Sequence, residues 1–166
     1  VYKRQGSFGS IDIQNSQIHI PSSGGNTAIG NGWQVYYNRE SRIRIANSEV
    51  SVRCASLGPA IGAAWDSGSG RINIIIENST VTAKGGNLRT DGNYVPGIGK
   101  NALGRAPEIG IQILNSTVDT FRLTEKGGTD YVYDDLHIKE LPGIPPENIT
   151  ICGSTVNRKT LSLIHI

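Results

Sequence analysis

One short pattern recurs five times along this chain and constrains its fold more than length or composition does. The copies read Ile11-Asp-Ile-Gln-Asn-Ser-Gln-Ile18, Ile43-Arg-Ile-Ala-Asn-Ser-Glu-Val50, Ile74-Ile-Ile-Glu-Asn-Ser-Thr-Val81, Ile111-Gln-Ile-Leu-Asn-Ser-Thr-Val118 and Ile149-Thr-Ile-Cys-Gly-Ser-Thr-Val156. The asparagine column falls at 15, 47, 78 and 115, with Gly153 in the fifth copy, so successive copies are 32, 31, 37 and 38 residues apart. A period of that size is one supersecondary unit per repeat, and such units become stable by stacking on their neighbours.

Within each copy the apolar residues before the asparagine alternate with period two, as at Ile11 and Ile13, and the alternation resumes after it at Ile18 and Ile20. The step from Ile13 to Ile18 is nevertheless five residues, and the same odd step separates Ile45 from Val50, Ile76 from Val81, Ile113 from Val118 and Ile151 from Val156. In a straight strand an odd step moves the second apolar set to the opposite face. Both sets point inward only if the chain bends at Asn-Ser. A bend of this kind calls for a residue at positive φ, which Asn tolerates better than most residues and Gly adopts freely. Gly153, the one departure in the column, is the substitution such a backbone permits. The expectation is a turn at Asn15, Asn47, Asn78, Asn115 and Gly153, with the amide side chains stacking into a hydrogen-bonded ladder.

A further column follows the turn: Ala28-Ile29-Gly30, Ala60-Ile61-Gly62, Gly97-Ile98-Gly99 and Gly143-Ile144-Pro145. Its isoleucine lies 11 residues after Ile18 and 11 after Val50, then 17 after Val81 and 26 after Val118. Extra residues therefore enter at one place in the repeat, within 85–95 and 121–141. Insertions on one face often mark the binding face of a repeat protein.

Composition agrees. Gly is abundant at 21 residues, aromatics make up 6%, and β-branched residues dominate the apolar runs, a balance that suits short strands and turns. The net charge of +2 comes from Lys3 and Arg4: without them the 16 basic residues fall to 14 and equal the 14 acidic ones. The balance gives no reason to expect a nucleic-acid partner. Cys54 and Cys152 have no metal-site spacing and make a poor disulfide framework, so they read as small thiols packed in or near turns.

Gly-rich repeats combining a strand, an Asn-Ser or Gly-Gly turn, Thr-Val and a Gly-Ile-Gly element resemble the right-handed β-helix repeats of bacterial surface and carbohydrate-binding solenoid proteins. The resemblance covers residues 9–157. It implies an all-β fold, a right-handed parallel β-helix of about five coils with loop insertions, on a secreted or cell-surface protein. Its motifs speak to architecture; function must come from the sites a solenoid carries.

The ends fit neither the repeats nor each other. Val1-Tyr-Lys-Arg-Gln5 and Leu161-Ser-Leu-Ile-His-Ile166 look like translated sequencing-adapter read-through at the edges of a metagenomic reading frame, and Met is absent. The expected single β-helix domain is 6–160, with 1–5 and 161–166 set aside. No apolar run is long enough to span a membrane.

Candidate sites follow from the insertions. Asp130, Asp134, Asp135 and Glu140 cluster in the longest one and are the carboxylates a Ca²⁺ ion would need, although a solvated loop has the same composition. Tyr94, Tyr131 and Tyr133, with Arg89, are the expected sugar-binding side chains, since aromatic faces pack on sugar rings. Trp33 and Trp65 each follow a third-column isoleucine by four residues, an even step that favours the core over an exposed platform. No catalytic residues are assigned. Asp134 and Asp135 are adjacent and so point apart in an extended segment, His19 should face outward, and His137 has no supporting motif. Arg122 and Lys126, like Arg89, are loose cations beside or within insertions. The sequons at Asn78, Asn115 and Asn148 are incidental, two of them lying in the turn column. Two readings emerge. One is a non-catalytic solenoid binding a polysaccharide, a glycan or a host or cell-surface protein; the other is a lyase or hydrolase acting on pectin-like polymers.

Overall fold

The structure is a computed structural model that describes residues 9–23, 27–32, 40–54, 58–64, 70–86, 96–100, 108–126, 130–135 and 148–157, with the backbone alone for 121–126, 130–135 and 156–157. The first repeat folds into β1 (Ile11–Gln14), β2 (Gln17–Ile20) and β3 (Ile29–Asn31). The second gives β4 (Glu40–Ala46), β5 (Glu49–Arg53) and β6 (Ile61–Ala63), and the third β7 (Arg71–Glu77), β8 (Thr80–Lys84) and β9 (Ile98–Lys100). The fourth gives β10 (Glu108–Leu114), β11 (Thr117–Lys126) and β12 (Asp130–Asp135), and the fifth β13 (Ile149–Cys152) and β14 (Thr155–Asn157). Among the described residues there is no α-helix, and no helix is long and apolar enough to cross a membrane.

Equivalent strands of successive repeats pair in parallel, forming three sheets. The first runs β1-β4-β7-β10-β13, the second includes β2-β5-β8-β11 with β14 also on β11, and the third runs β3-β6-β9. The sequence columns are the structural register. Ile13 pairs with Ile45, Ile45 with Ile76, Ile76 with Ile113 and Ile113 with Ile151, without slippage despite the unequal repeat lengths. Insertions thus leave the ladders intact. Ile18, Val50, Val81, Val118 and Val156 form the matching column of the second sheet, and Ile29, Ile61 and Ile98 that of the third.

Asn15, Asn47, Asn78 and Asn115 lie at φ 48–49°, and Gly153 at φ 60°. The corner turns the odd sequence step into a shared interior: Ile45, Val50, Ile76, Val81, Ile113 and Val118 are all buried in one apolar cluster. Burial falls off at both ends of the stack, where Ile11, Ile13, Ile18, Ile20, Ile149 and Ile151 are only partly covered. Each of these lies in a repeat with a described neighbour on one side only.

The hydrogen bonds described at the corner run through serine, whereas the expected ladder was one of asparagine amides. Backbone N–H groups of Ser16, Ser48, Ser79 and Ser116 each donate to the hydroxyl of the next serine, Ser48, Ser79, Ser116 and Ser154, at 3.1 Å. Each hydroxyl in turn donates to the carbonyl two residues before it, as from Ser79 to Glu77 at 2.7 Å. The physical reason is position. Ser48, Ser79 and Ser116 are buried, where an unpartnered N–H would be costly, while the asparagines are exposed to water. Replacing Ser79 by alanine removes the acceptor for the buried Ser48 N–H and is expected to cost about 1–3 kcal/mol, measured by guanidinium denaturation. A loss within about 0.5 kcal/mol would place it among ordinary surface changes and remove the ladder's structural role.

The longest insertion is partly strand where a loop was expected. β11 continues past the width of its neighbours, and β12 returns along it antiparallel, from Phe121 opposite Asp135 to Lys126 opposite Asp130. Phe121-Arg-Leu-Thr-Glu-Lys126 and Asp130-Tyr-Val-Tyr-Asp-Asp135 are rich in aromatic and β-branched residues, and Gly127-Gly128 lies between them. That is the composition of a β-hairpin.

Candidate functional site

The two outer faces that the stacked strands present differ in how their polar groups are used. On the first sheet, Arg44 bridges Asp12 of one neighbouring strand at 3.3 Å and Glu77 of the other. The Glu77 hydrogen bond, with a smaller contribution from Asp12, raises the guanidinium pKa above its already high ordinary value. Arg71 lies 3.7 Å from Glu108 and donates to Asn73 at 3.1 Å, and Asn73 donates to Glu40 at 2.6 Å. Most charged groups of this face are thus bonded within it, while Gln14, Arg42, Gln112 and Thr150 have no side-chain partner among the described residues.

On the second sheet the register builds three further columns. The first contains Gln17, Glu49, Thr80, Thr117 and Thr155; the second His19, Ser51, Thr82, Asp119 and Asn157; the third Arg53, Lys84 and Phe121. Alternation fixes this arrangement, because Val50, Val52, Val81, Ala83 and Val118 occupy the inward positions between them. Gln17 donates to Glu49 at 3.1 Å, and Arg53 and Lys84 are engaged within the protein. The side chains of Ser51, Thr80, Thr82, Thr117 and Asp119 have no hydrogen-bond partner among the described residues. One oxygen of Asp119 is also shut off from solvent without a donor. The result is a band of unengaged hydroxyls with one unengaged carboxylate, and the unengaged His19 at its β2 end, on strands held in strict register.

Both insertions spring from the same end of this sheet. β8 ends at Lys84, which stands opposite Phe121, where β11 begins its extension. Tyr131 and Tyr133 lie on β12, in register with Glu125 and Leu123, so two of the expected sugar-binding residues belong to the hairpin that starts two residues after Asp119. Arg89 and Tyr94 follow β8 but lie outside the described residues, as do Glu140, His137, Trp33 and Trp65.

Of the expected calcium ligands, Asp130 stands opposite Lys126, Asp134 opposite Arg122 and Asp135 opposite Phe121. Among the described residues no group of three or more His, Cys, Asp or Glu is placed to hold a metal. His19 is exposed, on the outer face expected of it, and neither cysteine forms a disulfide, Cys54 being buried and Cys152 exposed.

Reading the sequence missed the serine ladder and the hydroxyl face. The signals were present. Serine is the one residue shared by all five copies at the turn, and Thr80, Thr117 and Thr155 fall in one column directly after it. Sequence could not show that Asp119 lacks a partner, because partners are supplied by neighbouring repeats.

Fold and face define an all-β repeat protein of three mostly parallel stacked sheets, an arrangement compatible with a parallel β-helix. Comparison with protein-family models, with curated proteins and with solved structures gives no match.

Proposed function

We propose that this chain is a non-catalytic glycan-binding module, adhesin-like in role and secreted or displayed at a cell surface, built as a right-handed parallel β-helix of about five coils. The observation that carries this reading is the contrast between the two outer faces. Charged groups of the first sheet other than Arg42 are bonded to one another or to Asn73, whereas hydroxyls of the second are aligned and unengaged among the described residues. A flat row of hydroxyls without internal partners suits a ligand that is itself a polyol, because each contact exchanges a bond to water for one to the ligand at little reorganisation. The strand pair 121–126 and 130–135 starts two residues after Asp119 at the edge of the proposed surface.

Screening the full chain against a glycan array, with parallel assays for released reducing ends and unsaturated uronates, tests the reading. Retention of one or more polysaccharides with no product formed is the expected result. Release of unsaturated uronates from a pectin-like polymer would establish the lyase alternative in its place.

A further inference from the structure

The acid at position 119 is badly placed for folding. It occupies the second of the three further columns on the second sheet, between Thr82 on one neighbouring strand and Asn157 on the other. Earlier repeats put His19, Ser51 and Thr82 in that column, the two half-buried ones being small hydroxyls without charge. Asp119 is also half-buried, yet one of its oxygens is sealed from solvent and accepts no hydrogen bond. Partial burial of a carboxylate without a donor is unfavourable, and β-propensity disfavours Asp in a strand as well. A threonine would fit the column better on both counts.

The neighbourhood limits what such a carboxylate could receive. Glu49, the other acid of the two nearer columns, is already bonded to Gln17, and the cations of the third column, Arg53 and Lys84, are engaged within the protein. Near Asp119 the unengaged groups of the face are therefore hydroxyls, which donate or accept, and its own carboxylate, which accepts only; the unengaged His19 lies three strands away, on β2. Complementary to that set is a ligand rich in hydroxyl donors and carrying no negative charge. A uronate polymer would bring its own carboxylates against Asp119 and be repelled.

We infer that the second sheet's outer face selects a neutral polysaccharide, with Asp119, through Oδ2, the oxygen that is not sealed, as the specificity-determining acceptor of a sugar hydroxyl, Thr82 and Thr117 beside it and Ser51 one strand further on. This rests on the glycan-binding reading above and narrows it to one class of polymer, against the pectin-like class. It also assigns a binding role to a residue that weakens the fold.

Affinity electrophoresis of the full chain tests the inference, in gels cast with galactomannan, mixed-linkage β-glucan or polygalacturonate, all containing EDTA. Retardation by a neutral polymer and none by polygalacturonate is the expected result. Asp119→Thr should weaken the neutral interaction about ten-fold or more, the effect of losing a hydrogen bond to a charged acceptor, while raising the denaturation midpoint. Asp119→Asn keeps the shape and a neutral acceptor, so it should retain part of the binding, which guards against a threonine variant that fails to fold. A structural residue would behave in the opposite way, losing stability on substitution. Equal or stronger retardation by polygalacturonate overturns the neutral selectivity and leaves glycan binding standing. Unchanged neutral binding in both variants overturns the role of Asp119. No retardation in any gel overturns the inference and the glycan-binding reading together.

Discussion

Gly62→Ala is expected to cost at least about 4 kcal/mol, a large fraction of the roughly 5–15 kcal/mol typical of a single domain. Gly62 sits at φ +133°, a backbone region that side chains rarely adopt, and a Cβ there would lie 1.8 Å from the carbonyl oxygen of Gly99 and 2.9 Å from its carbon. The atoms in the way are backbone, so rotation of a side chain cannot relieve the clash. Backbone movement is blocked too, because Ile61 donates to Gly97 at 3.0 Å and pairs in register with Ile98. Gly30 meets the same obstacle one repeat earlier, with its Cβ 2.0 Å from the Gly62 oxygen. Gly9→Ala is the control: nothing lies within 4 Å of its Cβ position, and the change should be neutral within about 0.5 kcal/mol. Circular dichroism through a denaturant titration reads both. Equal stability for the two variants would mean that the third sheet does not pack with glycine against glycine.

Ile76→Ala should have the next largest effect, about 2–5 kcal/mol. Its side chain is fully enclosed, with Ile45 and Ile113 in register above and below, and rigid neighbouring strands limit collapse of the cavity left behind. The equivalent change in the first repeat, Ile13→Ala, touches a partly covered residue and should be milder by at least about 1 kcal/mol. Denaturation midpoints of the pair compare the middle of the stack with its end. Losses of the same size would show that the first repeat is covered in solution as completely as the third.

How far the chain could be read in advance depended on whether a feature repeats. The apolar parity change across Asn15, Asn47, Asn78, Asn115 and Gly153 demanded a bend, because two buried faces cannot otherwise share one interior. Those five residues do hold positive φ. The Ala-Ile-Gly column was visible as a pattern, although the reason for its glycine was not. Only the approach of one repeat's backbone to the next, as at Gly62 and Gly99, excludes a side chain there. The stretch 121–141 was identified as an insertion by its length, but its first half pairs as a hairpin on the edge of β11, an outcome that depends on β11 having an open side at that point.

The turn column likewise divides into a legible and an illegible half. Asparagine drew attention as the residue suited to a left-handed corner, and it occupies that corner. Serine beside it was equally regular, yet its task is to bond the serine of the next repeat, 31 to 38 residues away. No local rule of turn chemistry reaches that far.

By itself, then, the order of residues determined where the chain turns and which side chains face inward, since backbone sterics and the period of apolar residues act over a few neighbours. Tertiary structure alone decided which polar groups on the two outer faces are already satisfied. Arg44 finds Asp12 and Glu77, while Asp119 finds no partner among the described residues, and that difference arises only when repeats lie one strand spacing apart, about 4.8 Å, with their columns in register.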